Sequence, residues 1–204
     1  MAESWESNED ASIWTFHIRE DALWSNGDRV TANDFIYSYK RMLDPASPGE
    51  YLQMLFILKN GESYYREEIA DFSEVGVTAL DEKTLRMELV GPTPYFLSML
   101  KHYSWFPVHP ATIEAFGGPL DMSGEWTLTE NFVGNGPFIL AEWRPNQYIR
   151  VAKSPTYWDR DSMGLNEIYF YPIEDDNTQK RMFDSGLLHI TGTVPTNDVP
   201  SLKE

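Results

Sequence analysis

Histidine, carboxylate and glycine are the residues through which this chain could do chemistry; cysteine is absent from all 204 positions. Without it neither a disulfide framework nor a thiolate metal site can be built. The four histidines, His17, His102, His109 and His189, never pair at i, i+3 or i+4 on a helix, and no His-Glu-x-x-His occurs, so no metal site is assigned. Carboxylates are plentiful, with 32 Asp and Glu against 16 Lys and Arg. A glycoside hydrolase needs two of them flanking a sugar. Glu125-Trp126 and Glu142-Trp143 set acids beside aromatic rings, but the sequence identifies no partner for either. No Ser-His-Asp order stands out and no Gly-x-Ser-x-Gly is present. Gly134-Asn135-Gly136 is followed by Pro137 rather than lysine and does not lead from a strand into a helix. Its glycines are expected to make a tight backbone turn, not a phosphate cradle. No catalytic residue and no cofactor is assigned.

Binding remains. Aromatic residues make up 14% of the chain, including 7 Trp and 11 Tyr. Singly they are packing residues; as a set they suit a protein that buries something amphipathic against ring faces. The net charge of −16 argues against nucleic acid, which needs a basic face, and against docking on anionic lipid. A hydrophobic content of 42% and a charged content of 24% describe a soluble globular chain, one large domain or two small ones. No segment approaches the ~18 apolar residues of a membrane span. Met1-Ala2-Glu3-Ser4-Trp5 has neither a basic n-region nor an apolar h-region, so no signal peptide is read.

The elements that must position these residues start with residues 14–43. Trp14, Phe16 and Ile18 alternate with Thr15 and His17, the period of a half-buried strand with His17 facing outward. Asn26-Gly27 is a turn signal. Thr31 then caps a helix with Ala32, Phe35, Ile36, Tyr39 and Leu43 at helical spacing, Asp34 completes a capping-box-like pattern, and the helix should stop at Asp44-Pro45. Residues 2–10 read as a lead-in ahead of this first strand, and residues 44–49 as a loop. A short helix is expected within residues 51–60, and an exposed charged helix over 61–69. Residues 75–80 and 84–90 form a hairpin. Thr93-Pro94 reads as cap and first residue of another helix, and Pro110 starts a further one that ends at Gly117. Residues 117–130 are loop-rich. Residues 139–143 and 147–152 make a second hairpin, followed by a strand over 167–171, a helix over 178–185 and a strand over 187–190.

Several of these segments share more than their periodicity. Ala2-Glu3-Ser4-Trp5, Thr15-Phe16-His17-Ile18-Arg19, Trp24-Ser25-Asn26-Gly27 and Thr31-Ala32-Asn33-Asp34-Phe35 stand in order. They are followed by Pro92-Thr93-Pro94-Tyr95-Phe96, Gly134-Asn135-Gly136-Pro137-Phe138 and Ser154-Pro155-Thr156-Tyr157-Trp158. In this combination the chain resembles the extracytoplasmic solute-binding proteins of peptide ABC transporters, the oligopeptide- and dipeptide-binding family. It departs from the family pattern at Asp10-Ala11-Ser12 and at His189, where aspartate is usual.

The resemblance implies an α/β fold, mixed α+β, of the type II periplasmic-binding-protein kind with mixed sheets. Residues 1–108 would be the small extra domain and 109–204 an incomplete part of the first ligand-binding lobe. The natural precursor would begin upstream, and the second lobe would lie beyond this chain. The whole protein would be a monomer in the periplasm or another extracytoplasmic space. It would close on a peptide between two lobes and present it to a membrane permease. Ligand-facing candidates, all implied by the resemblance, are Tyr51 after the first helix, His102 at the crossover, and Thr191, Gly192, Thr193 and Val194. A carbohydrate-active hydrolase, or a sugar-, nickel- or haem-binding member of the same fold, are the alternatives.

Overall fold

The computed structural model describes residues 1–47 and 49–200. Pro48, within the loop read over residues 44–49, and residues 201–204, the end of the span 109–204, lie outside them.

The first sheet is antiparallel, in the order β1-β2-β4-β3. Its strands are β1 (Ala2–Ser7), β2 (Ile13–Ile18), β3 (Val77–Ala79) and β4 (Thr84–Glu88). The alternation in β2 does what the sequence predicts: Trp14, Phe16 and Ile18 are buried, with Trp14 opposite Met87 and Phe16 opposite Leu85. The stretch read as a lead-in is itself a strand. β1 pairs along β2, and its side chains alternate nothing because Glu3–Ser7 are all exposed at the sheet edge.

The Trp24–Asp28 turn closes with Gly27 at φ +95°, a value open to glycine. Helix α1 (Ala32–Leu43) follows, with Ala32, Tyr39 and Leu43 in the core. Asp34 Oδ2 accepts from the backbone N–H of Thr31 at 2.9 Å, the carboxylate half of a capping box. Asp44 is extended, as a residue before proline must be. A 3-10 segment, Leu52–Ile57, and α2 (Gly61–Tyr65) come next. The expected helix over 61–69 is therefore shorter, broken where Glu67 turns left-handed, and Tyr64 and Tyr65 lean on the core instead of solvent.

Helix α3 (Phe96–Met99) starts later than Thr93-Pro94 suggested. The Thr93 hydroxyl donates to the Gly91 carbonyl at 3.0 Å, so it caps nothing, and Phe96 is drawn fully into the core. Helix α4 (Pro110–Ala115) carries proline at its start, as read, and ends before Gly117 at φ +109°.

The second sheet is an antiparallel meander, β5 (Phe138–Arg144), β6 (Tyr148–Lys153) and β7 (Glu167–Phe170). Helix α5 (Asp176–Asp184) follows, its N-cap Asp175 accepting from the N–H and the hydroxyl of Thr178. Two expectations fail here. The fold is mixed α+β, but every strand pairing among the described residues is antiparallel. Residues 187–190 form no strand; Leu187 and Ile190 are exposed with no neighbouring ladder.

Burial is uneven. Every buried apolar residue among those described lies at or before Ile113, and after Gly118 only Ser154 is buried. Polar contacts tie the two regions. The Ser25 N–H donates to the Gly134 carbonyl (2.8 Å), the Tyr37 hydroxyl to Glu114 (2.8 Å), and Arg19 lies 4.0 Å over the Trp158 ring. His109, buried, bonds Asp28 through Nε2 at 3.1 Å.

Candidate functional site

Two residues far apart in sequence meet on the surface. Tyr51 follows the loop after α1, and His102 precedes a 3-10 turn, Tyr103–Trp105. Their ring centroids are 5.1 Å apart. Tyr103 completes the cluster, stacked on His102 at 4.3 Å and edge-on to Tyr51 at 5.7 Å. Local chemistry sets the histidine. The Ser104 N–H donates to its Nδ1 at 3.3 Å. Ser104 Oγ lies 2.9 Å from the same nitrogen. Below the cluster, Trp105 and Phe96 are buried at 5.3 Å, and the Tyr39 hydroxyl donates to the Trp105 carbonyl, so the turn stands on the core. Tyr51 and Tyr103 remain 44% and 59% exposed.

Tyr103 also belongs to the wall of an adjoining apolar cavity of about 550 Å³. Phe106, Trp126, Phe132 and Trp158 line it, with backbone of Gly134 and Gly136. The Gly134–Pro137 element is not the tight turn expected of it. Neither glycine takes a left-handed φ, and the segment runs irregularly over the Trp24–Asp28 turn, bonded through Gly134. Arg41 is half-buried nearby, 5.6 Å from the Trp126 ring, and burial lowers its pKa.

Thr191, Gly192, Thr193 and Val194 sit elsewhere, against α5. The Gly192 N–H donates to Gln179 at 3.1 Å, and the Thr193 hydroxyl donates to Asp176. The structure thus brings Tyr51 and His102 together and places the other four on a separate element. Sequence reading missed Tyr103, Phe106 and Trp158. The aromatic density of residues 102–106 was the available signal, and Trp158 stood inside a quoted motif without a role.

Of the two acids set beside an aromatic ring in the sequence, Glu142 is engaged in ion pairing. Glu142 is held by Arg144 Nε at 2.6 Å and by the Tyr148 hydroxyl at 3.0 Å. The Arg144 hydrogen bond, foremost, lowers its pKa, the opposite of what a carboxyl acid catalyst needs. Among the described residues no group of three His, Asp or Glu side chains could hold a metal ion.

What can this arrangement do? Exposed ring faces beside an apolar recess can hold side chains of an extended ligand whose main chain is gripped elsewhere. The chain is similar to known proteins. The periplasmic oligopeptide-binding protein OppA of Escherichia coli is 41% identical over 208 residues, covering 100% of this chain and 37% of that protein. The dipeptide-binding protein DppE of Bacillus subtilis is 40% identical over 195 residues, 96% of this chain and 34% of that one. The crystal structure of Haemophilus influenzae OppA in complex with RPPGFSPFR superposes with a TM-score of 0.90 at 34% identity, covering 99% of this chain and 39% of that one. The chain thus spans about a third of the length of these curated relatives. Residues 1–204, the whole chain, match the family described as bacterial extracellular solute-binding proteins, family 5 Middle, and the chain belongs to that family.

Proposed function

We propose that this chain is the middle part of the substrate-binding component of an ABC importer that takes up oligopeptides or dipeptides. The observation that carries the reading is the meeting of Tyr51 and His102, with Tyr103, on an exposed face beside the apolar cavity. In the whole protein this face closes against an opposing lobe, the peptide bridges the two, and the closed form is presented to the membrane permease. The protein works extracytoplasmically, as a monomer, without catalysing a reaction. Residues 1–108 act as the small extra domain, which the concentration of buried apolar residues before Ile113 supports, and residues from 109 onward as part of the first lobe. Thr191–Val194 reach the ligand from that lobe. No helix among the described residues is long and apolar enough to cross a membrane.

Calorimetry with a mixed peptide library tests this. The full-length protein is expected to bind peptide, and this span alone to bind weakly or not at all. Failure of the full-length protein to bind any peptide, or turnover of a polysaccharide by it, would overturn the reading.

A further inference from the structure

Histidine is an unusual residue to cap a helix, a place where Ser, Thr, Asp and Asn lead. Helix α4 has one. His109 stands just before Pro110 with φ −77° and ψ 110°, and the Thr112 N–H donates to its Nδ1 at 3.3 Å. The Thr112 hydroxyl lies 2.7 Å from the same nitrogen. The other nitrogen, Nε2, reaches Asp28 Oδ2 at 3.1 Å, 81 residues away along the chain. Each ring nitrogen thus serves a different element, Nδ1 the start of α4 and Nε2 the Trp24–Asp28 turn. His109 is the only buried histidine among the described residues, and its ring meets Trp24 edge-on at 5.2 Å.

Among the described residues Asp28 is the one charged group bonded to that ring. Its side chain is 60% exposed and also accepts from Asn26 Nδ2 at 2.7 Å. Asp34 of α1 is taken by the Trp24 indole and the Thr31 N–H, and Glu114 of α4 by the Tyr37 hydroxyl. Residues 133–138, bonded over the turn through Gly134, carry no charge, and Arg29 follows Asp28 along the chain.

The two contacts ask different things of the imidazole. Neutral, it can accept from the Thr112 N–H at Nδ1 and donate to Asp28 from Nε2. Protonated, it donates from both nitrogens. The bond to the carboxylate then becomes charge-assisted and stronger. Nδ1 meanwhile has no lone pair left for the Thr112 N–H and can turn only to the hydroxyl oxygen. We propose that His109 is a pH-sensitive clamp, in which protonation exchanges the cap of α4 for a tighter tie to the Trp24–Asp28 turn. Histidine is the side chain whose charge ordinarily changes between pH 5 and 8. As pH falls through that range, the start of α4 loosens while its link to residues 24–28 strengthens. The clamp works whatever ligand the protein takes.

NMR of the full-length protein, isotope-labelled in histidine and threonine, tests this between pH 8 and 5. At the alkaline end the ring nitrogen shifts should place the His109 proton on Nε2. On acidification the Thr112 amide should move along the same titration curve as the ring. Its hydrogen exchange, corrected for the intrinsic rate, should become about fivefold faster across the range, the loss of one hydrogen bond. His109→Asn keeps a cap acceptor that does not titrate, so it should show neither change at Thr112. Four results would each overturn the clamp: a neutral ring protonated on Nδ1, a ring that does not titrate in this range, a Thr112 amide that stays still while His109 titrates, or a pH response at Thr112 that persists in His109→Asn.

Discussion

Asp34 does two things with one oxygen. Its Oδ2 accepts from the Thr31 N–H at the start of α1 and from the Trp24 indole N–H, both at 2.9 Å. Trp24 is 1% exposed, so its N–H has no water to turn to. Asp34→Ala should therefore cost about 2 kcal/mol, the loss of a cap plus a stranded buried donor. Asp34→Asn, which keeps an acceptor, should cost clearly less. Urea midpoints of the two variants check this, and equal destabilisation would count against it. The capping role was legible in the sequence, because Thr31 and Asp34 stand at a spacing that only local geometry governs. The tie to Trp24 was not, since it depends on how a turn folds back over a helix end. Tyr51 is similar: the family resemblance suggested a ligand-facing ring there, but neither its left-handed backbone nor its contact with Tyr103 is encoded by neighbouring residues.

Elements were legible where their signals were local. β2 reads from alternation, the following turn from Asn-Gly, and the end of α1 from Asp-Pro. β1 did not read as a strand because an edge strand exposed on both faces has no apolar face to alternate. α3 begins two residues later than Thr93-Pro94 suggested, and residues 187–190, read as a strand, pair with no strand among the described residues.

Close approach at Gly76 is equally invisible from sequence. Gly76 sits between Lys59 and Glu88, donating to the Lys59 carbonyl and accepting from the Glu88 N–H, both at 2.8 Å. A β-carbon there would meet the Glu88 carbonyl oxygen at 2.1 Å, so strand β4 would have to shift. Gly76→Ala should destabilise by more than about 2 kcal/mol, whereas Gly91→Ala, which meets nothing within 4 Å, should stay within about 0.5 kcal/mol of the parent. Thermal melts of the pair decide it. At the start of α5, the Thr178 hydrogen bonds hold the Asp175 carboxyl below its ordinary value of 3.8. A depressed carboxyl pKa stabilises the folded form above that value, and the contribution is lost as pH falls through the folded pKa. Amide exchange at Thr178 should therefore gain less from the cap as the solution is acidified below pH 3.8, and Asp175→Ala should remove that dependence.

At the scale of the molecule the two sheets differ in kind. β2 and β4 bury Trp14, Phe16, Leu85 and Met87, while no residue of β5, β6 or β7 is buried. Hydrogen exchange on this chain should accordingly protect the amides of β2 and β4 far longer than those of the meander. Equal protection in the two sheets would show that the meander is sealed within this span. The family resemblance was carried by motifs scattered over the whole chain, so membership was legible. How little of the meander is buried was not, because strand periodicity marks a candidate face without saying what lies against it.

The concentration of buried apolar side chains before Ile113 also has a bearing on biosynthesis. A nascent polypeptide holding residues 1–118 already contains every buried apolar side chain among the described residues, and Val133 is the later residue that packs against them. That part can settle as it emerges, while the later meander, whose strands hold no buried residue, is organised afterwards. Translation from one end to the other would then impose an order on maturation, and the late hairpins would be the segment on which a chaperone has the longest opportunity to act.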